Sequence, residues 1–404
     1  SITTAARSCR SAHSVCSSRR EWRCGGGGRR QLRLSKAHQG GSQSDASVLI
    51  AGRRQQQSSC DRSGRLQLGQ CPRKVLGRCE RHAIALMRKR QLARDNRIAG
   101  VPLGGLTQQL QGKRLTEMAE LHDAGCVAFS QVDIPFENNL ALLRSLQYAA
   151  TFGFPVWLRP RDHGLVAGGV AHDGEVATRM GLSGIPVIAE TVALATMLLL
   201  VKATGARVHF CRISSASGLE MVRDAKRQGL PVSCDVSINH IHLTDLDIGY
   251  FDAHYHLVPP LRSHRDRDAI RAALLDGTID AICSDHTPVD DDGKLLPFAE
   301  SEPGATGLEL LLPLTLKWAE EAGLPLPQAL QKITSDAARV LNVVAGKLEI
   351  GAPADLCLFD PAAEWRVEPK QLKSQGKNTP FAGMQMRGKV RHTLVNGQSV
   401  YQIG

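Results

Sequence analysis

From Val101 onward the chain alternates short apolar or β-branched runs with longer amphipathic stretches, and this alternation limits the possible folds more than any other feature. The runs are "VPLGGL" (101–106), "CVAFS" (126–130), "FPVWLRP" (154–160), "RVHFCRIS" (207–214), "PVSCDVS" (231–237) and "DAICSDH" (280–286). Between them lie stretches such as "LTEMAELHDAG", "ENNLALLRSLQYAATFG" and "AETVALATMLLLVKATG", with Gly125, Gly153 and Gly205 placed where helix C-caps belong. Continuous apolar strands separated by helices predict a parallel sheet covered on both faces. Six such units without a Gly-rich dinucleotide fingerprint predict an α/β chain of the (β/α) barrel type rather than a Rossmann sheet. Two further units would close a barrel of eight, and their place is in the N-terminal region.

Helical patterns continue over about residues 306–322 and 326–342 and then stop. "GKLEIGAPADLCLFD" and "VRHTLVNGQSVYQIG" read as short strands joined by turns, and "NG" at 396–397 is a hairpin signal. The expected organisation is therefore an atypical segment 1–97, a (β/α) barrel over 98–344 and a β-module over 345–404.

The first segment differs in kind. Of 50 Lys+Arg and 39 Asp+Glu in the chain, residues 1–97 hold 22 and 5, leaving 28 and 34 for the rest. The formal charge of +11 thus divides into about +17 and −6, and describes neither part. The segment has one aromatic, Trp22, and the runs "CGGGGRRQ" and "RRQQQSSC". Such a composition buries too little apolar surface to offset the entropy of ordering the backbone. An excess of Arg, Ser, Gly, Cys and Gln is also what a GC-rich gene yields in a shifted frame. The expectation is a disordered or frame-shifted segment, with the frame restored near Arg97–Val101. A basic arm binding nucleic acid is the alternative, disfavoured because the arginines are scattered and interleaved aromatics are missing.

Six of the eleven cysteines (Cys9, Cys16, Cys24, Cys60, Cys71, Cys79) fall in this segment without a C-x-x-C pair, so no structural zinc site is expected there. The other five stand singly, mostly in apolar runs such as those around Cys211 and Cys283, as buried reduced thiols do. No apolar stretch reaches the ~18 residues of a membrane span, and no apolar leader core is visible. The expected location is cytoplasmic, with no membrane partner.

Catalytic groups of (β/α) barrels come from the C-terminal ends of the strands. "CVAFS" leads to Gln131 and Val132, "FPVWLRP" to Arg159 and Arg161, "RVHFCRIS" to Arg212, Ser214 and Ser215, "PVSCDVS" to Asn239, His240 and His242, and the last strand to Asp285 and His286. A hydrolytic zinc ion needs three or four His, Asp or Glu ligands at about 2.0–2.2 Å. Arginine cannot ligate, because it stays protonated and has no lone pair to offer. No metal and no cofactor are expected at these strand ends.

The stretches "GGVAHDGEVATRMGLSGIP", "SDHTP", "PFAESEPGATGLELLLPLTL", "GAPADLCLFDPAAEW", "GKNTPFAGMQMRGKV" and "TLVNGQSVY" resemble the dihydroorotase family of cyclic amidohydrolases from about Val101 to the C-terminus. The resemblance implies a (β/α)8 barrel with a small β-sandwich built from both chain termini. It also implies ring opening or closing of a cyclic amide by zinc-bound hydroxide. Residue by residue, the family's chemistry does not carry over. No H-x-H pair occurs in residues 1–100. The family's acidic pair after "FS" falls on Gln131 and Val132, and its ligand histidines in "QHAED"-like and "HVSTA"-like segments fall on Arg159 and Arg212. Its His-His pair becomes Asn239–His240, its substrate-contacting asparagine Val258, and the histidine closing "DHAPH" Val289. Asp285 and His240 remain as vestiges of the catalytic and metal positions, and the substrate-binding residues stay unassigned. The resemblance is greatest to the bacterial non-catalytic members that associate with the aspartate transcarbamoylase catalytic chain in de novo pyrimidine synthesis. That implies a hetero-oligomer in which this chain is a structural subunit; a zinc-dependent dihydroorotase is the alternative.

Bland roles are expected for the remaining candidates. His209 alternates with Cys211 and reads as a hydrogen-bonded core residue. His240 and His242 are expected on one face of an extended segment, spaced to share a stray divalent ion. His254 and His256 precede Pro259–Pro260 and are expected in a loop. Arg159, Arg161 and Arg212 suit an anion pocket or, preferably, pairing with Asp285 or Asp162. "DDDGK" at 290–294 lacks calcium-loop spacing and is expected as a solvated turn.

Overall fold

The computed structural model describes residues 101–403, so the expectations made for residues 1–97 lie outside the described residues. In chain order the strands are β1 (Leu103–Gly105), β2 (Ala128–Ser130), β3 (Val156–Leu158), β4 (Ala171–His172), β5 (Gly184–Ile185), β6 (Val208–Phe210), β7 (Val232–Ser237) and β8 (Ala281–Cys283). Three longer strands follow: β9 (Leu356–Arg366), β10 (Gln385–Val395) and β11 (Gln398–Gln402). Each of the six apolar runs supplies one strand of a sheet ordered β1-β2-β3-β6-β7-β8, and every pairing in it is parallel. Helices such as Asn139–Phe152, Ile188–Thr204, Ala216–Arg227 and His264–Leu275 connect successive strands. This is the barrel wall of an α/β fold. The short parallel pair β4–β5, inserted between β3 and β6, was not foreseen.

Pairing across the wall explains why the strands read as apolar throughout. Val156 lies opposite Val208 and Leu158 opposite Phe210, and these residues pack with Leu146, Leu194, Leu219 and Val222 from the helices in the main core. The alternate residues Trp157, His209 and Ser233 form a rung on the opposite face, the barrel interior. Both faces are buried, but only the helix-facing one is uniformly apolar.

Local signals set the helix ends. Asn138 Oδ1 accepts from Ala141 N at 3.0 Å, while Ser215 and Ser263 cap the helices Ala216–Arg227 and His264–Leu275. Gly153 and Gly205 close their helices in the left-handed region at φ 68°. Among the described residues no helix is long and apolar enough to cross a membrane.

The C-terminal strands form an antiparallel sheet, β11-β10-β9, with Asn396 and Gly397 both at positive φ in the hairpin turn. β9 and β10 span 11 residues each, longer than expected. The sheet packs on the helix Leu311–Glu321, where Gly388 sits at φ 91° and a Cβ would meet Leu316 at 2.3 Å. The expected helix 326–342 is divided into Leu326–Gln331 and Ser335–Leu341. Residues 290–294 are solvated at Asp290, Asp291 and Asp292, as expected, but they are not a turn. They enter the helix Asp291–Leu295, and Lys294 is buried with Nζ donating to Ala253 O at 2.8 Å, because its long stem reaches under the neighbouring turn.

Phe210 is fully buried on the helix-facing side of β6. Phe210→Ala is expected to cost about 3–5 kcal/mol through lost burial and the cavity left behind. The check is the urea midpoint at constant m-value.

Candidate functional site

Three strand ends and one loop converge on a line of alternating charge. Arg159 Nη1 lies 2.6 Å from Asp133 Oδ1, Arg212 Nη2 3.6 Å from Asp133 Oδ2, and Arg212 Nη1 2.7 Å from Asp285 Oδ1. Arg159, Arg212 and Asp285 keep 6, 15 and 8 % of their side chains exposed, whereas Asp133 keeps 37 % and is therefore better screened. Val132, Arg212 and Asp285 each follow a strand end by two residues and each adopts positive φ (57°, 56° and 47°). That conformation costs a non-glycine residue roughly 1–2 kcal/mol. It directs the chain across the mouth of the sheet instead of onward along the strand.

Of the two pairings expected for the arginines, Asp285 takes Arg212 while Asp162 takes none. The Asp162 side chain instead caps the helix His163–Val166, accepting from Leu165 N at 2.9 Å, and Asp133 fills the place assigned to it. Asp133 was missed from sequence, and its one signal was its position directly after the Gln131–Val132 pair.

The shifts follow this arrangement. Burial works to raise the Asp133 carboxyl, but Arg159 and Arg212 outweigh it and hold it well below the carboxylate range. Burial likewise works to lower Arg212, yet Asp285 and Asp133 keep it more firmly protonated than a free guanidinium. Arg159, buried and facing Arg212, is shifted down.

Beside this line Glu190, 5 % exposed, accepts four hydrogen bonds from the consecutive Ser214 and Ser215. The two backbone N–H groups contribute at 2.9 and 3.1 Å and the two hydroxyls at 2.6 Å each. Arg262 Nε donates to Ser214 Oγ at 3.2 Å and its Nη1 to Ile185 O at 2.6 Å. Glu190 was missed from sequence. Its signal was a single carboxylate near the start of the apolar helix Ile188–Thr204. Arg159, Arg161, Arg212, Arg262 and Glu190 line a narrow cleft whose free space is about 20 Å³. That is room for about one water, against roughly 300–1,000 Å³ for small-molecule pockets.

The other candidates are drawn apart. Gln131, 2 % exposed, accepts from Thr107 Oγ1 and donates to Leu110 O, both at 2.9 Å. His240 and His242 are not on an extended segment but in the short helix Ile238–His242. Two residues apart on a helix they point away from each other: His240 Nε2 meets Pro260 O at 3.0 Å and His242 Nε2 meets Leu314 O at 2.9 Å. A shared ion at these two rings is excluded by that divergence. His254 enters a 3-10 turn, Ala253–Tyr255, instead of a loop, and His256 is buried against Ser301 Oγ at 3.0 Å. His286 Nδ1 accepts from Gly307 N at 3.2 Å. His209 is hydrogen bonded at both ring nitrogens, with Ser233 Oγ at 2.8 Å and Asp235 Oδ2 at 2.9 Å. These donor sets do not fit the hydrolytic zinc that the family resemblance implies. Arginines occupy the ends of β3 and β6, Asp285 is engaged by one of them, and His240 faces a carbonyl.

Comparison with known proteins gives a consistent picture. The amidohydrolase family model matches residues 192–400, and the dihydro-orotase-like model matches residues 77–218. A dihydroorotase-like protein of Pseudomonas putida is 46 % identical over 296 residues, covering 73 % of this chain and 70 % of that protein. Its namesake in Pseudomonas aeruginosa is 44 % identical over 301 residues, with 74 and 71 % covered. A dihydroorotase of a Geobacter species is 41 % identical over 303 residues, with 75 and 71 % covered. Among solved structures, the L-hydantoinase of Arthrobacter aurescens superposes with a TM-score of 0.70 at 24 % identity, over 80 % of this chain and 74 % of that one. At that identity the likeness is one of fold.

Arg212→Met leaves Asp285 buried without its partner and is expected to cost about 3–5 kcal/mol, most of it recovered in Arg212→Met/Asp285→Leu. Urea unfolding of both single variants and the double variant closes the cycle. A pH dependence follows from His242 and His256. Burial holds each ring down to about 4, against the upward pull of Leu314 O on His242 and with Lys294 adding to the effect on His256. The unfolded chain binds more protons between about pH 6.5 and 4, so stability is full above that window and falls as pH drops through it. The expected loss is at most about 3 kcal/mol per ring. Urea midpoints at pH 7 and 4.5 should differ in this sense, and less so in His256→Gln.

Proposed function

The chain belongs to the dihydroorotase family of amidohydrolases, and from that premise we propose that it is a non-catalytic member serving as a structural subunit for the aspartate transcarbamoylase catalytic chain. The single observation that carries this reading is the largely buried Arg212–Asp285 ion pair, with 15 and 8 % of the two side chains exposed. The surviving acidic residue of the family's catalytic set is engaged by a guanidinium where the family has a ligand histidine. A carboxylate that accepts a charge-assisted hydrogen bond from arginine is a poor general base, since the oxygen that would take the proton is already committed.

Two further features support the reading. The cleft at the strand ends has room for about one water, and its arginines would repel a dication. A subunit relieved of catalysis keeps its wall and its helix packing, and the fully apolar core beneath the helices is of that kind. The complex would be a cytoplasmic hetero-oligomer, its role to support assembly and activity of the transcarbamoylase in pyrimidine synthesis.

Two measurements test this together. Purified protein supplied with zinc is expected to show no cyclisation of N-carbamoyl-aspartate to dihydroorotate above background. Mixed with the transcarbamoylase chain, it is expected to sediment as a larger species than either component. Turnover that disappears in Asp285→Asn would give the site to an active dihydroorotase instead. Separate sedimentation at micromolar concentrations would remove the partner from the proposal.

A further inference from the structure

One level below the charged mouth, on the interior face of the wall, β6 and β7 bring together three groups that no comparison assigns. His209 belongs to β6, Cys211 follows its last residue, and Asp235 comes from β7. Their ligating atoms all lie within 4.8 Å of one another, and the residues are 3, 5 and 5 % exposed. Two residues apart at the end of one strand, His209 and Cys211 share a face, and the neighbouring strand supplies the carboxylate. This is a different set from the strand-end positions of Arg159, Arg212 and Asp285.

We propose that His209, Cys211 and Asp235 form a buried three-ligand site for a zinc-like divalent ion inside the barrel. The donors are one imidazole nitrogen, one sulfur and one carboxylate oxygen, the mixture that zinc accepts in tetrahedral sites. The supports such a site needs are present. His209 Nδ1 contacts Ser233 Oγ at 2.8 Å, which fixes the ring with Nε2 toward the other ligands. Asp235 Oδ1 accepts from Arg212 N at 2.7 Å, leaving Oδ2 for the ion. Nε2 and Oδ2, now 2.9 Å apart, need to separate by only a few tenths of an ångström to span a tetrahedral edge of about 3.3 Å.

The charges balance. A thiolate and a carboxylate neutralise a dication, so the ion would not be buried as an isolated charge. On binding, the Cys211 thiol proton passes to solvent. Nε2 binds the ion without a proton, which leaves Nδ1 as the donor to Ser233 Oγ, so a neutral imidazole adds no proton to the one released by the thiol. A water completes the tetrahedron. Trp157 packs its ring on His209 with centroids 4.6 Å apart and helps to hold the imidazole in place.

This site does not depend on the function proposed above, because neither Asp285 nor the partner enters it. Its test uses the full chain expressed in zinc-depleted medium supplemented with cobalt, a tetrahedral zinc surrogate with a visible spectrum. The expected result is about one cobalt per chain with a thiolate-to-cobalt charge-transfer band. Cys211→Ser should lose the band and the bound metal, while Cys357→Ser, at an exposed thiol, should keep both. Asp235→Asn provides a second variant if Cys211→Ser fails to fold by circular dichroism, and it should lose the metal with its thiol intact. A metal-free wild-type chain would overturn the site, as would a charge-transfer band unchanged in Cys211→Ser. The same band persisting in a folded Asp235→Asn would also overturn the three-ligand assignment.

Discussion

The ion pair between Arg212 and Asp285 is the interaction around which the mouth of the barrel is organised. Neither charge is tolerable alone at this burial, and Arg212 has two further neighbours, a carboxylate and a carbonyl dipole. Asp133 stands between Arg212 and Arg159, and Arg212 Nη1 also lies 3.4 Å from Val258 O. The result is an alternating row of two guanidinium and two carboxylate groups, in which each adjacent pair attracts while the two guanidinium groups on either side of Asp133 repel each other. A row of this kind holds its members in place and leaves little capacity for an outside ligand. The backbone cost at Val132, Arg212 and Asp285 is accepted because their positive φ values bring the row together.

Arg212 also ties the mouth to the interior beneath it. Its side chain reaches Asp285, while its backbone N–H holds Asp235, which in turn holds His209. Beside it, Ser214 and Ser215 anchor the same loop on Glu190, and Gly218 is required there because a Cβ would come within 2.3 Å of Glu190 Oε1. The loop after β6 is therefore clamped on two sides by buried carboxylates. Both carboxylates are satisfied by several donors, which is the condition under which buried charge strengthens a fold instead of weakening it. The helix-facing side of the same strands makes no polar demands, and it supplies the hydrophobic driving force for the whole wall.

Membership of the dihydroorotase family fits this division of labour. The framework of this chain is built of parallel strands, covering helices and a C-terminal antiparallel sheet packed on the helix Leu311–Glu321. The strand ends are the part of such a barrel that changes most freely, because the wall beneath does not depend on them.

The six apolar runs, the amphipathic stretches between them and the "NG" hairpin were legible in the sequence, because burial and backbone propensity act over a few residues and leave a period behind. So were the arginines at positions 159 and 212, since a strand end can be located once the strand is. The sequence could not show which carboxylate each arginine would choose. Asp162 and Asp133 look equally available until the first is taken by a helix N-terminus. Nor could it show that His240 and His242 diverge, because spacing of two means one face in a strand and opposite sides in a helix. The junction of His209, Cys211 and Asp235 likewise depends on the register between β6 and β7, which is set by the packing of the two strands against their helices. Local patterns thus determined the elements and the residue types at their ends. Pairing, rotamer and register were decided only in the tertiary structure, because each depends on a partner distant in the chain.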